Sequence, residues 1–317
     1  MTHKYYSITQ SPLYKLNSHK RLAKILGLTS VSVIHKLASK GNKNYYTSTL
    51  DCGRIIEVPL PQLARVHSRI NSLLSRISVP AYLNSGVKTR SNVKNAKDHK
   101  GNRALLKLDI AKYYPSVTRE QIKKCYLKSF KCTQDVAETL SILCTYNDHL
   151  PTGSTISQSL SFAVNRPIFD HIDSYAKSRS IKFTCYVDDL TFSGPVIPKY
   201  FTSYIKSYIT NNRGYKCHKI RIHKADTPKL VTGVVIDGND LKVRNEHRNT
   251  ISDLMKKKQY YLDKYTPDQK ALVCFYQKFQ GHLFSAGQVN GRYRQQGKLL
   301  VQERKDLGIK AQNQNTK

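Results

Sequence analysis

The 317-residue sequence predicts an α+β fold, and three observations predict it. Strand periodicity marks Ile181–Ser193: Phe183 and Cys185 alternate with Lys182, Thr184 and Tyr186, then Leu190 and Phe192 with Thr191 and Ser193. The same period of two marks Ala104–Ile110, where Leu106, Leu108 and Ile110 form an apolar face and Lys107 and Asp109 point the other way. Helical periodicity marks long stretches elsewhere, above all Ser157 to Arg179 with Leu160, Val164, Ile168 and Ile172, and most of residues 242–317.

Residues 1–20 are polar and yield no assignment. Two short helices follow between His19 and Ser39, broken at Gly27-Leu28-Thr29-Ser30, with Thr29 or Ser30 suited to cap the second. Tyr45 to Pro59 reads as strands around a turn at Asp51-Cys52-Gly53. Arg54 stands directly after that turn, where a guanidinium suits a triphosphate and equally an exposed surface base. Leu63 to Ile77 is an amphipathic helix, and a basic stretch from Lys88 leads to Asn95 and His99, one helical turn apart if that piece is helical. Tyr113 and Tyr114 close the strand region of Asp109 just before Pro115.

Gln121 to Tyr146 is mainly helical packing. His149–Thr155 is a turn of small residues, and Gly153 there permits close backbone approach to a ligand. Beyond the Ile181–Ser193 hairpin, Tyr200–Ile209 is a helix, and Tyr215–Ile222 is a strand with Lys216, Lys219 and Arg221. Val231–Ile236 reads as one buried strand with a turn at Asp237-Gly238-Asn239. The helical C-terminal part ends in a Gln/Asn/Lys-rich tail expected to be disordered.

Lys and Arg number 53 against 21 acids, a net charge of +32 spread along the chain. Such an excess suits a surface that tracks a polyanion, although a basic ribosomal-type protein would share it. Seven scattered cysteines without a C-x-x-C pair argue against a disulfide framework and a structural zinc site. No run of about eighteen apolar residues occurs, so the chain is expected to be cytoplasmic, with no membrane partner.

Against that basic background Asp188 and Asp189 stand at a hairpin tip, with Asp188 expected on the face of Tyr186. An Asp pair alone is commonly just a turn. Asp109 supplies a third carboxylate from a half-buried strand, where it is costly to desolvate without a partner. Together the three suit two Mg²⁺ ions about 4 Å apart, which would activate an attacking hydroxyl and neutralise a departing pyrophosphate.

Y-V-D-D at Tyr186–Asp189, preceded by L-x-L-D-I-x-x-Y-Y-P-S (Leu106–Ser116) and P-x-G-S (Pro151–Ser154), resembles the palm of reverse transcriptases. More narrowly, the chain resembles bacterial retron reverse transcriptases. N-A-x-x-H at Asn95, Ala96 and His99 is similar to the retron insertion, and Val231-Thr232-Gly233 to the motif used there to recognise the cognate RNA. The resemblance runs from about Leu22 to Ile236 and more loosely beyond.

It implies a right-hand polymerase fold: residues 1–100 as N-terminal helices and fingers, 101–238 as palm with some fingers elements, and 239–317 as thumb and tail. It implies Asp109, Asp188 and Asp189 as catalytic ligands of two Mg²⁺ ions, and Tyr114 as the ring that excludes ribonucleotides. Lys219 would lie near the pyrophosphate, with Arg54 and Gly153 as further nucleotide contacts. Asn95, His99, Val231, Thr232 and Gly233 would serve RNA recognition. The implied partners are a structured noncoding RNA acting as template and primer, its DNA product, dNTPs and an effector protein. DNA would grow from a 2′-hydroxyl to give a branched product (msDNA) used in antiphage defence. Two departures stand out: P-Q-G-x-x-x-S-P appears as Pro151–Gln158 without the Gln or the second Pro, and the fingers turn keeps only Gly53-Arg54 of K-x-G-x-R. Another reverse transcriptase lineage, intron-type or standalone, and a catalytically idle RNA-binding scaffold are the alternatives.

Overall fold

A computed structural model describes residues 5–101 and 103–309, so the expected disordered tail lies largely outside the described residues. Ser18 and Gly27 bracket α1 (His19–Leu26): the Ser18 hydroxyl accepts the Arg21 N–H, and Gly27 takes φ +70°. Helix α2 (Val31–Lys40) starts after Ser30, and the pair buries Leu22, Leu26, Ile34 and Leu37. Strands β1 (Tyr45–Thr49) and β2 (Ile55–Pro59) form an antiparallel hairpin with Tyr45 opposite Pro59. Pro61 opens α3 (Pro61–Leu74), which ends short of the expected Ile77. The Ser91 hydroxyl caps α4 (Asn92–Lys97), and β3 (Ala104–Ile110) follows.

Tyr113 and Tyr114 do not close that strand, which corrects the sequence-based placement. Lys112 turns through φ +47°, and Tyr113–Ser116 is a single helical turn, α5. Pro115 lacks the N–H that a sheet ladder would need. Helices α6 (Arg119–Lys128), α7 (Gln134–Leu143) and α8 (Ser157–Lys177) come next, then β4 (Lys182–Tyr186), β5 (Asp189–Gly194), α9 (Lys199–Arg213) and β6 (Cys217–His223).

Residues 231–236 are not one strand. β7 (Lys229–Val231) and β8 (Val234–Asp237) pair antiparallel, with Val231 opposite Val234. Thr232 and Gly233 make the turn between them at φ +44° and +82°, a two-residue hairpin loop that needs positive φ at both positions. Strand β9 (Asp240–Val243) completes the meander, and α10 (Asn245–Lys264), α11 (Lys270–Ala286) and α12 (Gly291–Asp306) end the described chain.

These elements form two compact units. One comprises the chain up to Arg90 together with Leu106–Ile222; the other comprises Ser91–Leu105 and the chain from His223. Their boundaries differ from the stretches 1–100, 101–238 and 239–317, because α4 packs on β7 and β8 and takes its neighbours with it. In the first unit the sheet order is β4-β5-β3-β6. Helix α8 lies against β4, and Phe183 stacks on its cross-strand partner Phe192 with ring centroids 4.9 Å apart. Each such fully buried side chain contributes about 1.5–3 kcal/mol, which ties the Y-V-D-D hairpin to the core. In the second unit α10–α12 share a core around Phe275, Tyr276 and Phe279, and Ala96, Leu105, Val231, Val234 and Ile236 form a smaller one under the meander. Among the described residues no single helix is long and apolar enough to cross a membrane.

Candidate active site

Tyr186 pairs with Asp189, so Val187 and Asp188 alone join β4 to β5. Asp189 therefore shares the face of Tyr186, and the expected placement of Asp188 there is corrected: the chain has already turned. Val187 makes the turn at φ +60°, a left-handed conformation that costs a side-chain-bearing residue about 1–2 kcal/mol. The neighbouring segment holds it in place. Ser85 Oγ accepts the Val187 N–H at 3.0 Å, the Asn84 N–H donates to Cys185 O at 2.9 Å, and the Cys185 N–H donates to Tyr82 O at 2.8 Å. Sequence reasoning passed over Tyr82–Ser85, which has no periodic signal to find.

Strand β3 lies beside β5, and the Ile110 N–H donates to Asp188 O at 3.2 Å, which brings Asp109 to the hairpin. Burial, with the charges of Asp109 and Asp189 added, pushes the Asp188 carboxyl above its ordinary range. Asp189 is raised by burial and by Asp109, against the pull of Lys107 and Lys219. Asp109 Oδ1 is buried without a hydrogen-bond partner, while Oδ2 accepts from Lys219 Nζ at 3.4 Å. His218, which the sequence did not single out, places Nδ1 3.2 Å from the Asp109 carbonyl oxygen. Crowded carboxylates and an orphaned buried oxygen are a donor set that fits a hard, oxygen-seeking cation. Among the described residues no group of three His, Cys, Asp or Glu side chains is arranged to hold an ion as it stands. The like charges repel, and Asp109 is engaged by Lys219.

Of the paired tyrosines, Tyr113 is core, with its hydroxyl accepting from Asn165 Nδ2 at 3.3 Å. Tyr114 faces the acids: burial and the Asp188 charge push its hydroxyl up to about 12, and Arg54 is close enough to oppose the shift. Arg54, Tyr114, Lys219 and the acids thus share one neighbourhood. Gly153 has a different use. A Cβ there would lie 2.7 Å from Glu57 O, and its N–H donates to that oxygen at 3.0 Å, so the close approach is to β2. Beside it, the Thr152 N–H and Oγ1 donate to Glu57 Oε2 at 2.8 and 2.6 Å. Burial raises the Glu57 carboxyl, but the Thr152 bonds more than offset this and hold it below its usual range. Thr152, the departure from the P-Q-G pattern, is thereby spent on tying this loop to the β1–β2 hairpin.

Asn95, His99 and Val231 lie in the interior rather than at the surface. Asn95 Nδ2 donates to Thr232 Oγ1 at 3.5 Å, and Thr232 Oγ1 donates to Asn92 O at 2.8 Å. The two short motifs are therefore one structure, with α4 holding the Thr232-Gly233 turn.

The chain is 27% identical over 144 residues to the retron Se72 reverse transcriptase of Salmonella heidelberg, covering 44% of this chain and 37% of that protein. It is 27% identical over 130 residues to the retron Ec86 reverse transcriptase of Escherichia coli, covering 41% and 40%. A longer match reaches the retron Mx162 reverse transcriptase of Myxococcus xanthus, 25% identical over 285 residues, 76% of this chain and 58% of that protein. The chain is a relative of the retron reverse transcriptases. It spans less than half the length of the first two of these curated relatives. No protein-family model matches. Among solved structures, a telomerase from Candida albicans with a fragment of telomeric RNA aligns over 86% of this chain and 59% of its own at TM-score 0.46 and 10% identity.

The α+β fold expected from the sequence is observed, with Y-V-D-D joining β4 to β5 in a four-stranded sheet. Two residues beyond the sequence motifs emerge only from the packing: Ser85, which braces the hairpin, and Glu57, which anchors the Thr152 loop.

Proposed function

We propose that the chain is an RNA-directed DNA polymerase that copies a structured noncoding RNA into DNA. The observation that carries this is the gathering of Asp109, Asp188 and Asp189 around a strained, braced hairpin in a chain of net charge +32. In this proposal the three acids hold two Mg²⁺ ions, which when bound supply charge neutralisation at the transferred phosphate and a more acidic primer hydroxyl. Tyr114 lies against the sugar of the incoming nucleotide, where its ring leaves no room for a 2′-hydroxyl. Arg54 and Lys219 offer cations to its phosphates, and Lys219 leaves Asp109 to do so. Ser85 and the Tyr82–Cys185 rung keep the hairpin from shifting as charge accumulates.

The family likeness extends the proposal to priming from a 2′-hydroxyl of the RNA, a branched msDNA product, an effector protein and antiphage defence. Purified chain supplied with oligo(dT) on poly(rA), Mg²⁺ and dTTP is expected to extend the primer, and Asp188→Asn to abolish extension. Tyr114→Ala in the same assay is expected to incorporate UTP. Extension that survives Asp188→Asn refutes the assignment of the acids, and unchanged sugar discrimination refutes that of Tyr114.

A further inference from the structure

We propose that Arg90 is a positioning residue for the Y-V-D-D hairpin and acts through residues 80–85. The inference rests on the proposed polymerase and adds what fixes the placing of Asp188 and Asp189. All of the groups involved lie within the first unit.

Both backbone groups of Cys185 and the N–H of Val187 are turned away from β5, towards this neighbouring segment. Leu83 pairs with Cys185 as a parallel bridge, so the segment lies along β4 as a short added strand. Tyr82 O and the Asn84 N–H face β4, which leaves the Leu83 N–H and C=O on the far side. No further strand lies there to satisfy them, and a buried carbonyl needs a donor from elsewhere.

Arg90 is that donor. Its N–H donates to Val87 O at 2.9 Å, a turn that folds the side chain back over residues seven to ten positions earlier. Arg90 Nη1 then donates to Pro80 O and to Leu83 O, each at 2.6 Å, and to Ala81 O at 3.4 Å. Pro80 and Leu83 are the two ends of one turn, which the backbone closes only by a Leu83 N–H to Pro80 O bond of 3.3 Å. The charged bonds are short and the neutral one is long, so the guanidinium decides the shape of the turn. Helix α8 adds a second tether, the Tyr82 hydroxyl donating to Asp170 Oδ1 at 2.6 Å. That bond anchors a ring, whereas Arg90 fixes the backbone. Without Arg90 the segment can pivot about Tyr82 and draw the Ser85 hydroxyl from Val187, whose left-handed turn then relaxes.

Arg90→Met in the full chain keeps the reach of the side chain and removes its donors. Amide hydrogen exchange is read by NMR without nucleic acid, with Leu140, buried in α7, as the distant reference. Exchange at Cys185 and Val187 is expected to quicken about tenfold, as for loss of a charged hydrogen bond, while Leu140 is unchanged. In primer extension on poly(rA), kcat is expected to fall about tenfold through misplacement of the acids, at unchanged KM for dTTP. Arg90→Lys, which restores a charged donor, is expected to recover most of that loss. Unaltered exchange at Cys185 and Val187, equal quickening at Leu140, or a loss confined to KM overturns the proposal. Should Arg90→Met not fold, Arg90→Gln, a shorter and neutral donor, is read by the same exchange. Failure of the unsubstituted chain to extend a primer sinks the polymerase reading, and exchange still decides whether Arg90 holds the hairpin. Normal extension by the unsubstituted chain, with unaltered exchange in Arg90→Met, sinks this inference alone.

Discussion

Acidification should weaken the fold through His67, and its hydrogen bonds say how. The ring, carried by α3, is fully buried against the end of α7 and the loop before α8. Leu143 O, 2.7 Å from Nε2, can only accept, so Nε2 carries the proton and Nδ1 accepts from Ser154 Oγ at 2.6 Å. Burial holds the pKa down to about 4, against 6.5 in the unfolded chain. Between those values the unfolded state binds more protons, so stability falls as pH falls. The contribution is complete above pH 6.5 and is lost progressively towards pH 4. At pH 5 the shift corresponds to about 2 kcal/mol lost relative to pH 8. Urea unfolding at both pH values, for the unsubstituted chain and for His67→Gln, isolates this part, since every other titrating group is common to both. The variant is expected to be less stable at pH 8 and to lose about 2 kcal/mol less on acidification. An identical pH dependence in the two proteins would refute the reasoning.

Two further substitutions probe the supports of the site. Gly153→Ala forces a Cβ to within 2.7 Å of the Glu57 carbonyl, a collision with backbone that is expected to cost about 1–3 kcal/mol, measurable as a lower thermal midpoint; an unchanged midpoint would show that the loop is not pressed on β2. Ser85→Ala removes the acceptor of the Val187 N–H and is expected to destabilise by about 1 kcal/mol and to slow primer extension, whereas full extension rates would show that the turn holds its shape without that bond.

The three acids were legible because each sits in or beside a short segment with strict alternation, where a carboxylate is conspicuous. Asp109 could be read from Leu106, Leu108 and Ile110 alone, and the β4–β5 pairing from the apolar residues around Y-V-D-D. Facing was harder: a two-residue turn put Asp189, rather than Asp188, beside Tyr186. The Thr232-Gly233 turn hid within an apolar run whose valines read as one strand. Gly153 was read as allowing close approach to a ligand; local sequence does not say what approaches, and the approach the structure shows is to the Glu57 backbone. Asn95 and His99 were singled out by type and spacing, which carry no information on depth; both are buried. Ser85 and Glu57 act through partners about a hundred residues away in the chain, 102 and 95 positions respectively, beyond the reach of any local pattern.

Manganese binding, followed by the paramagnetic signal of free Mn²⁺, tests most directly whether the three carboxylates form a metal centre. With primer–template and a non-hydrolysable dNTP present, the unsubstituted chain is expected to take up two ions, as a two-metal polymerase does, and Asp109→Asn to lose that uptake. Uptake that is absent, or unaffected by Asp109→Asn, would contradict it.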